Sequence, residues 1–258
     1  MSSRLLLVVC ASLALATACS KPAPPPAAAA GGGKHVDAET AGSITGRVTF
    51  TGTPPANEPL RMGVDQNCVQ NAGSSPVSDA VLVAPDGALQ NAFVYLRDGL
   101  DSAYSFDVPT EPVKLDQKGC RYSPRILGVR VGQPITIVNS DATMHNVHAL
   151  PMTNQEFNQG EPVQGFTVTK TFTVAEVSPP VRIKCDVHGW MNAYVGVVAN
   201  PYFAVTKPDG TFELKGVPPG TYTVATWHEK FGTQTAQVTV EPKQSQAVSF
   251  TYSANQSK

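Results

Sequence analysis

Apolar and polar residues alternate with a period of two along much of this chain. Residues 43–50 (Ser-Ile-Thr-Gly-Arg-Val-Thr-Phe) and 166–174 (Phe-Thr-Val-Thr-Lys-Thr-Phe-Thr-Val) are the clearest cases. Alternation puts one set of side chains on each face of an extended segment, so both predict half-buried β-strands. Shorter extended runs are predicted at 80–84, 92–96, 129–131, 135–139, 181–184, 194–198, 221–227, 234–240 and 247–252. Turn residues separate them, among them Pro85-Asp86-Gly87, Asp98-Gly99 and Pro208-Asp209-Gly210. No stretch carries a helical period. The pattern predicts an all-β protein of two sandwiches.

Composition agrees. The 258 residues include 22 Pro and 21 Gly, and only 15% are charged, which suits one or two β-rich domains with many turns. Net charge is −1, and no basic block points to nucleic acid. Residues 1–18 read as a signal peptide: Arg4 gives a positive start, and the apolar run 5–15 is too short to span a bilayer. Two cleavages fit. Ala16-Thr17-Ala18 suits ordinary signal peptidase, whereas Ala18-Cys19 resembles a bacterial lipobox, which would lipidate Cys19. The segment that follows favours lipidation. Residues 19–42 hold runs of Pro, Ala and Gly that cannot bury a core and serve as a tether, with His35 idle in it. The expected location is the periplasm or the outer face of a membrane.

The candidate chemistry lies in one short loop, Cys185-Asp186-Val187-His188-Gly189-Trp190-Met191, spaced Cys-x-x-His-x-x-Met. Upstream, the strand 135–139 runs towards His145-Asn146-Val147-His148. A thiolate, two imidazoles and a weak thioether are what a mononuclear blue-copper site needs. His145 and His148 are three residues apart and face opposite sides of an extended segment, so only one of them easily faces a metal.

Residues 131–139, His145 to His148 and Cys185-x-x-His188-x-x-Met191 together resemble the cupredoxin family, in its amicyanin-like branch, over about 112–200. The resemblance implies one type 1 copper held by His145, Cys185, His188 and Met191. It implies that Asn146 ties the two ligand loops by hydrogen bonds, and it leaves His148 outside the ligand set. Met144 stands where amicyanin-like proteins have Pro. A second resemblance is to the carboxypeptidase regulatory-like, transthyretin-like β-sandwich. Its ending, Thr-x-x-Asp-Gly-x-Phe-x-Leu-x-Gly-x-Pro-Pro-Gly-x-Tyr-x-Val, fits 206–224. Its beginning fits Gly46-Arg47-Val48 and 92–96, on the other side of the copper stretch.

The resemblances imply a cupredoxin Greek-key β-sandwich, residues 105–200, inserted in or followed by a carboxypeptidase regulatory-like β-sandwich, 43–104 with 201–252. Insertion demands that 92–96 share a sandwich with 221–227 and that the chain near Asp101 and near Phe203 lie together. A tandem order would leave them in separate domains.

The implied function is electron transfer without substrate chemistry. Five His and no His-x-His argue against a second, multicopper centre, so no enzyme is expected. Copper delivery or buffering is the alternative; it usually uses open, exchangeable sites. Met144 and Met152 are expected to pack, and His228 to sit exposed at a strand end. With Cys19 lipidated and Cys185 a ligand, Cys68 and Cys120 are left to form a disulfide; two separately buried thiols are the other reading. The expected partner is a transient redox protein; Trp190 either offers an apolar surface where electrons leave through the His188 edge to that partner or only packs its loop. Nucleic acid is not expected.

Overall fold

The computed structural model describes residues 33–72 and 76–254; the expected signal peptide and Cys19 lie outside them. The strands are β1 (Gly42–Thr51), β2 (Phe93–Asp98), β3 (Val113–Gln117), β4 (Tyr122–Ser123), β5 (Ile126–Arg130), β6 (Pro134–Asn139), β7 (His145–Leu150) and β8 (Phe157–Glu161). They continue as β9 (Thr167–Thr171), β10 (Glu176–Lys184), β11 (Asn192–Val198), β12 (Phe203–Val205), β13 (Thr211–Val217), β14 (Gly220–His228), β15 (Gly232–Val240) and β16 (Ser245–Ser253). Among the described residues a single 3₁₀ turn (Met62–Val64) and one short α-helix, α1 (Gln66–Asn71), precede β2. No helix among the described residues is long and apolar enough to cross a membrane.

Four sheets result: β13-β1-β16 and β12-β2-β14-β15, then β5-β11-β10-β7-β8 and β4-β3-β6-β9. The first pair closes an outer sandwich. The alternation in β1 turns Ile44, Val48 and Phe50 inward, against Leu96 of β2, Leu214 of β13 and Phe250 of β16. The second pair closes an inner sandwich, with Leu115, Ile135, Ile137, Val147, Ile183 and Val195 in its core. Its nine strands run consecutively between β2 and β12. β2 pairs with β12 (Tyr95↔Phe203) and with β14 (Val224↔Leu96, Thr226↔Val94). The chain leaves the outer sheet and returns to it at one place: Leu96 N–H donates to the Tyr202 carbonyl at 2.9 Å, and Asn200 Nδ2 donates to the Leu96 carbonyl at 3.4 Å.

A second apolar cluster joins the sandwiches: Phe93, Tyr95 and Trp227 of the outer one against Ile126 and Val198 of the inner one. Two glycines, Gly128 and Gly196, are register partners in β5 and β11. A Cβ on either would sit 2.4–2.5 Å from the Phe93 or Phe203 ring, so the close approach requires their lack of a side chain. At the edge of this contact Arg125, nearly buried, grips the Glu229 carboxylate with two nitrogens and Asp79 at 2.6 Å.

Several expectations fail for identifiable reasons. Among 80–84 only Val83 bridges, to Leu89, because the Val81 backbone is satisfied by the Asn57 side chain. Helix α1 has six residues, too few for a period, and depends on the Asp65 cap, whose Oδ1 accepts from Asn67 N at 2.8 Å and Cys68 N at 3.4 Å. The expected tether ends early: Lys34 pairs through its backbone with Ala103 and Ser105, and its ammonium lies over the Tyr104 ring. His228 is buried instead of exposed, stacked on Phe231, and desolvation pushes its pKa down to about 3, so it stays neutral.

Candidate metal centre

Two loops at one end of the inner sandwich build the site. Asn139, buried at the end of β6, donates to the Thr143 carbonyl at 2.8 Å and the Glu161 carbonyl at 2.9 Å, and accepts from Asp141 N at 3.0 Å. These bonds shape the turn 140–144 that delivers His145 at the start of β7. The second loop folds on itself between β10 and β11. Cys185 N–H donates to the Met191 carbonyl at 3.2 Å, Met191 N–H to the His188 carbonyl at 2.9 Å, and His188 N–H to Cys185 Sγ at 3.3 Å. Asn146 spans the two loops. Its Oδ1 accepts from Asp186 N at 2.6 Å and lies 3.3 Å from Cys185 Sγ.

The side chains of His145, Cys185 and His188 converge, with their ligand atoms within 4.8 Å of one another and all three residues buried. His145 Nδ1 is 3.0 Å from His188 Nδ1, and His188 Nδ1 is 4.0 Å from Cys185 Sγ. An ion held at about 2.0 Å by imidazole and about 2.3 Å by thiolate would separate two such nitrogens by roughly 3.3 Å and nitrogen from sulfur by roughly 3.5 Å. The donor set and spacing therefore fit a thiolate- and imidazole-bound metal. Met191 is 1% exposed and belongs to the apolar cluster that includes Cys185. His148 points elsewhere, held by Asp186 at 2.9 Å and Glu156 at 2.8 Å.

Each imidazole is pinned from behind by a carboxylate. His145 Nε2 is 3.0 Å from Asp141, which also accepts from Gly119 N and Cys120 N at 2.8 Å each. His188 Nε2 is 3.1 Å from Asp65, which also accepts from Thr143 Oγ1 at 2.6 Å. Such partners fix ring orientation and leave the other nitrogen for the metal. Protonation follows the same layout. Burial opposes charge on His145, yet the Asp141 and Cys185 contacts outweigh it and raise its pKa to about 9. Burial and the His145 charge hold His188 below the usual value. A charged His145 would donate from both nitrogens, to Asp141 and towards His188 Nδ1, leaving His188 Nε2–H to face Asp65. Burial opposes ionisation of Cys185, but hydrogen bonds from His145 and from backbone N–H groups win and hold the thiol below its ordinary pKa.

Sequence reasoning missed Asp65 and Asp141. The Asp-x-Asn start of α1 and the Asn139-Ser140-Asp141 turn are the local signals. Asp65 belongs to a strap, described over 57–72 and 76–80, that lies against Thr143 and His188 and is bonded to the inner sandwich by the Cys68–Cys120 disulfide. Cys68 Sγ lies 3.7 Å from His188 Nε2. The strap changes the surface expected at His188: this residue is 1% exposed, with Asp65 and Cys68 over its outer edge. Trp190 stays partly open, 5.0 Å from His188 between ring centroids, and donates its indole N–H to the Cys120 carbonyl at 3.0 Å. Met144 and Met152 do not pack; they are 48% and 76% exposed.

A buried acid lies behind the ligands. Glu161 is register partner to His145, accepts from Gln117 Nε2 and leaves Oε1 without a partner among the described residues. Desolvation pushes its carboxyl up to about 7, although the His145 charge opposes this. An acid raised in the folded state keeps its full stability contribution below pH about 4.5 and loses it as pH rises through 7. That gap corresponds to about 3 kcal/mol. In the metal-free protein, Glu161→Gln should therefore raise unfolding free energy by about 3 kcal/mol at pH 8 and change little at pH 4. Urea unfolding at the two pH values checks this; equal effects at both would contradict it.

The inner sandwich resembles the cupredoxins in its two packed sheets and its ligand loops, and the second half of the outer sandwich resembles the carboxypeptidase regulatory-like domain. The carboxypeptidase regulatory-like domain family matches residues 191–253. No curated protein matches the chain. Among solved structures, an oxidised amicyanin variant is 26% identical, covering 34% of this chain and 82% of its own, with a TM-score of 0.31. A purple cupredoxin from Nitrosopumilus maritimus is 21% identical, covering 33% of this chain and 99% of its own, with a TM-score of 0.29. A copper-containing nitrite reductase from Thermus scotoductus SA-01 is 19% identical over 36% of this chain, with a TM-score of 0.32; the chain spans only 24% of that protein.

Proposed function

We propose that this protein is a type 1 copper electron-transfer protein, exported and tethered to a membrane through a lipid on Cys19. The observation that carries the reading is the buried convergence of Cys185 Sγ with the Nδ1 atoms of His145 and His188. Copper bound there would supply a one-electron couple. The chain's own residues do the rest. Cys185, His145 and His188 would hold the ion, with Met191 as a weak fourth donor that would tune its potential. Asp65 and Asp141 keep the rings from rotating, and Asn146 keeps the two loops in register. Burial excludes water, so the ligands have little freedom to rearrange between oxidation states.

The reading assigns no catalytic residue and no substrate; the partner is another redox protein, met transiently. Burial of all three ligands disfavours copper delivery, which needs an exchangeable ion. Titration of the metal-free protein with Cu(II) should saturate at one ion per chain, and Cys185→Ser should remove that binding. Unchanged binding by Cys185→Ser would overturn the assignment. For the anchor, Cys19→Ala should shift the protein from the membrane to the soluble fraction; retention in the membrane would refute the lipid.

A further inference from the structure

A partner cannot reach this centre through the His188 ring, because Asp65 and Cys68 cover its outer edge and the residue is 1% exposed. Trp190 is the next side chain outward. Its ring touches that of His188, and its other side lines a groove of about 620 Å³ between the strap, the ligand loop and the 229–230 turn of the outer sandwich. Electronic coupling between a docked protein and the ligands has a continuous aromatic path here.

The charges of the groove are unequal. Arg125 and Glu229 line it, but each is spent on the other, with Asp79 as a further partner of Arg125. Arg61, Arg182 and Lys230 also line it and are exposed. Arg182 contacts only the neutral Asn192 side chain, at 2.8 and 3.1 Å, and no carboxylate lies within salt-bridge distance of Arg61 or Lys230 among the described residues. Glu58 is the one lining carboxylate left over. Three free cations thus face one free acid, on a chain whose net charge is −1. The cations stand at the rim, and the one buried cation is already satisfied. A small anion would find no free buried group to fix its orientation. Rim charges of this kind instead steer and register a protein surface.

We propose that this groove is the docking site of the redox partner, that the partner presents carboxylates to Arg61, Arg182 and Lys230, and that Trp190 carries the electron between the docked partner and His188. One electron moves; the reduced centre loses it, the partner's oxidised group gains it, and no bond forms or breaks. The electron path rests on the copper reading above, whereas the docking does not need the metal.

The test has two arms. In the metal-free protein, redox-inert hexacyanocobaltate(III), a stand-in for clustered carboxylates that should bind only at millimolar concentration, should shift the indole N–H resonance of Trp190 and leave that of Trp227 in place. The triple variant Arg61→Glu, Arg182→Glu, Lys230→Glu should lose the shift. In the copper-loaded, reduced protein, hexacyanoferrate(III) and tris(phenanthroline)cobalt(III) serve as anionic and cationic oxidants. At low ionic strength the triple variant should be oxidised by the first at least about 10-fold more slowly and by the second faster. Trp190→Leu and Trp190→Phe report the path: Leu should slow both oxidants, Phe less so, with the copper absorption unchanged. Equal rates for wild type and the triple variant, or no effect of Trp190→Leu, would overturn the proposal. So would micromolar binding of free citrate, which would assign the groove to a small anion. A protein that takes up no copper would sink the copper reading, while the metal-free titration would still decide the docking.

Discussion

Replacing Cys68 and Cys120 together by alanine should lower the unfolding free energy by about 4 kcal/mol, the chain-entropy value for a loop of this length. The two cysteines are 52 residues apart, and their bond is the covalent tie between the strap and the inner sandwich. The other contacts of the strap are non-covalent: Met62 in the inner core, the Asp65 contacts with Thr143 and His188, the Asp79 ion pairs with Arg121 and Arg125, and the Arg121 bond to the Val77 carbonyl. The variant should therefore also open the covered edge of His188, seen as faster hydrogen exchange at 62–72. Urea unfolding of both proteins measures the stability. A loss under about 1 kcal/mol would mean that the strap is held by its non-covalent contacts, contrary to this account.

Asp141→Ala should have the second large effect. The carboxylate is 5% exposed and serves three donors: Gly119 N, Cys120 N and His145 Nε2. Removing it strands two backbone N–H groups and unpins one ring. Loss of one partner of a buried pair typically costs about 3–5 kcal/mol. Loss of the residue that orients a metal-binding imidazole typically weakens metal affinity by about 10- to 100-fold. Asp141→Asn keeps one acceptor oxygen and should fall between wild type and Ala on both measures. Chelator competition reads the affinity and urea unfolding reads the stability. If Asp141→Ala bound copper as tightly as wild type, the pinning role would be wrong.

Much of the site was legible because its signals are local. Cys185, His188 and Met191 share one loop, and the spacing alone brings three donor types together. Asn139 and His145 follow one strand and one turn. The strands of the outer sandwich were legible because β1 and β16 bury one face, so their alternation is clean. The illegible parts depend on distant contacts. Asp65 acts on a ring 123 residues away. β8 carries Asn158, Gln159 and Gly160 with no apolar alternation, and exists because β7 offers an edge to pair with. His228 looks like a strand-end polar residue, yet its neighbours Phe231 and Tyr252 close over it. Met144 looks like a packing residue beside a ligand, yet it faces solvent.

The visible absorption spectrum of the Cu(II)-loaded protein tests the central claim most directly. A thiolate bound to Cu(II) gives an intense charge-transfer band. The account predicts such a band at one copper per chain, lost on one-electron reduction and absent in Cys185→Ser. A wild-type protein that binds Cu(II) yet stays nearly colourless under non-reducing conditions would contradict it.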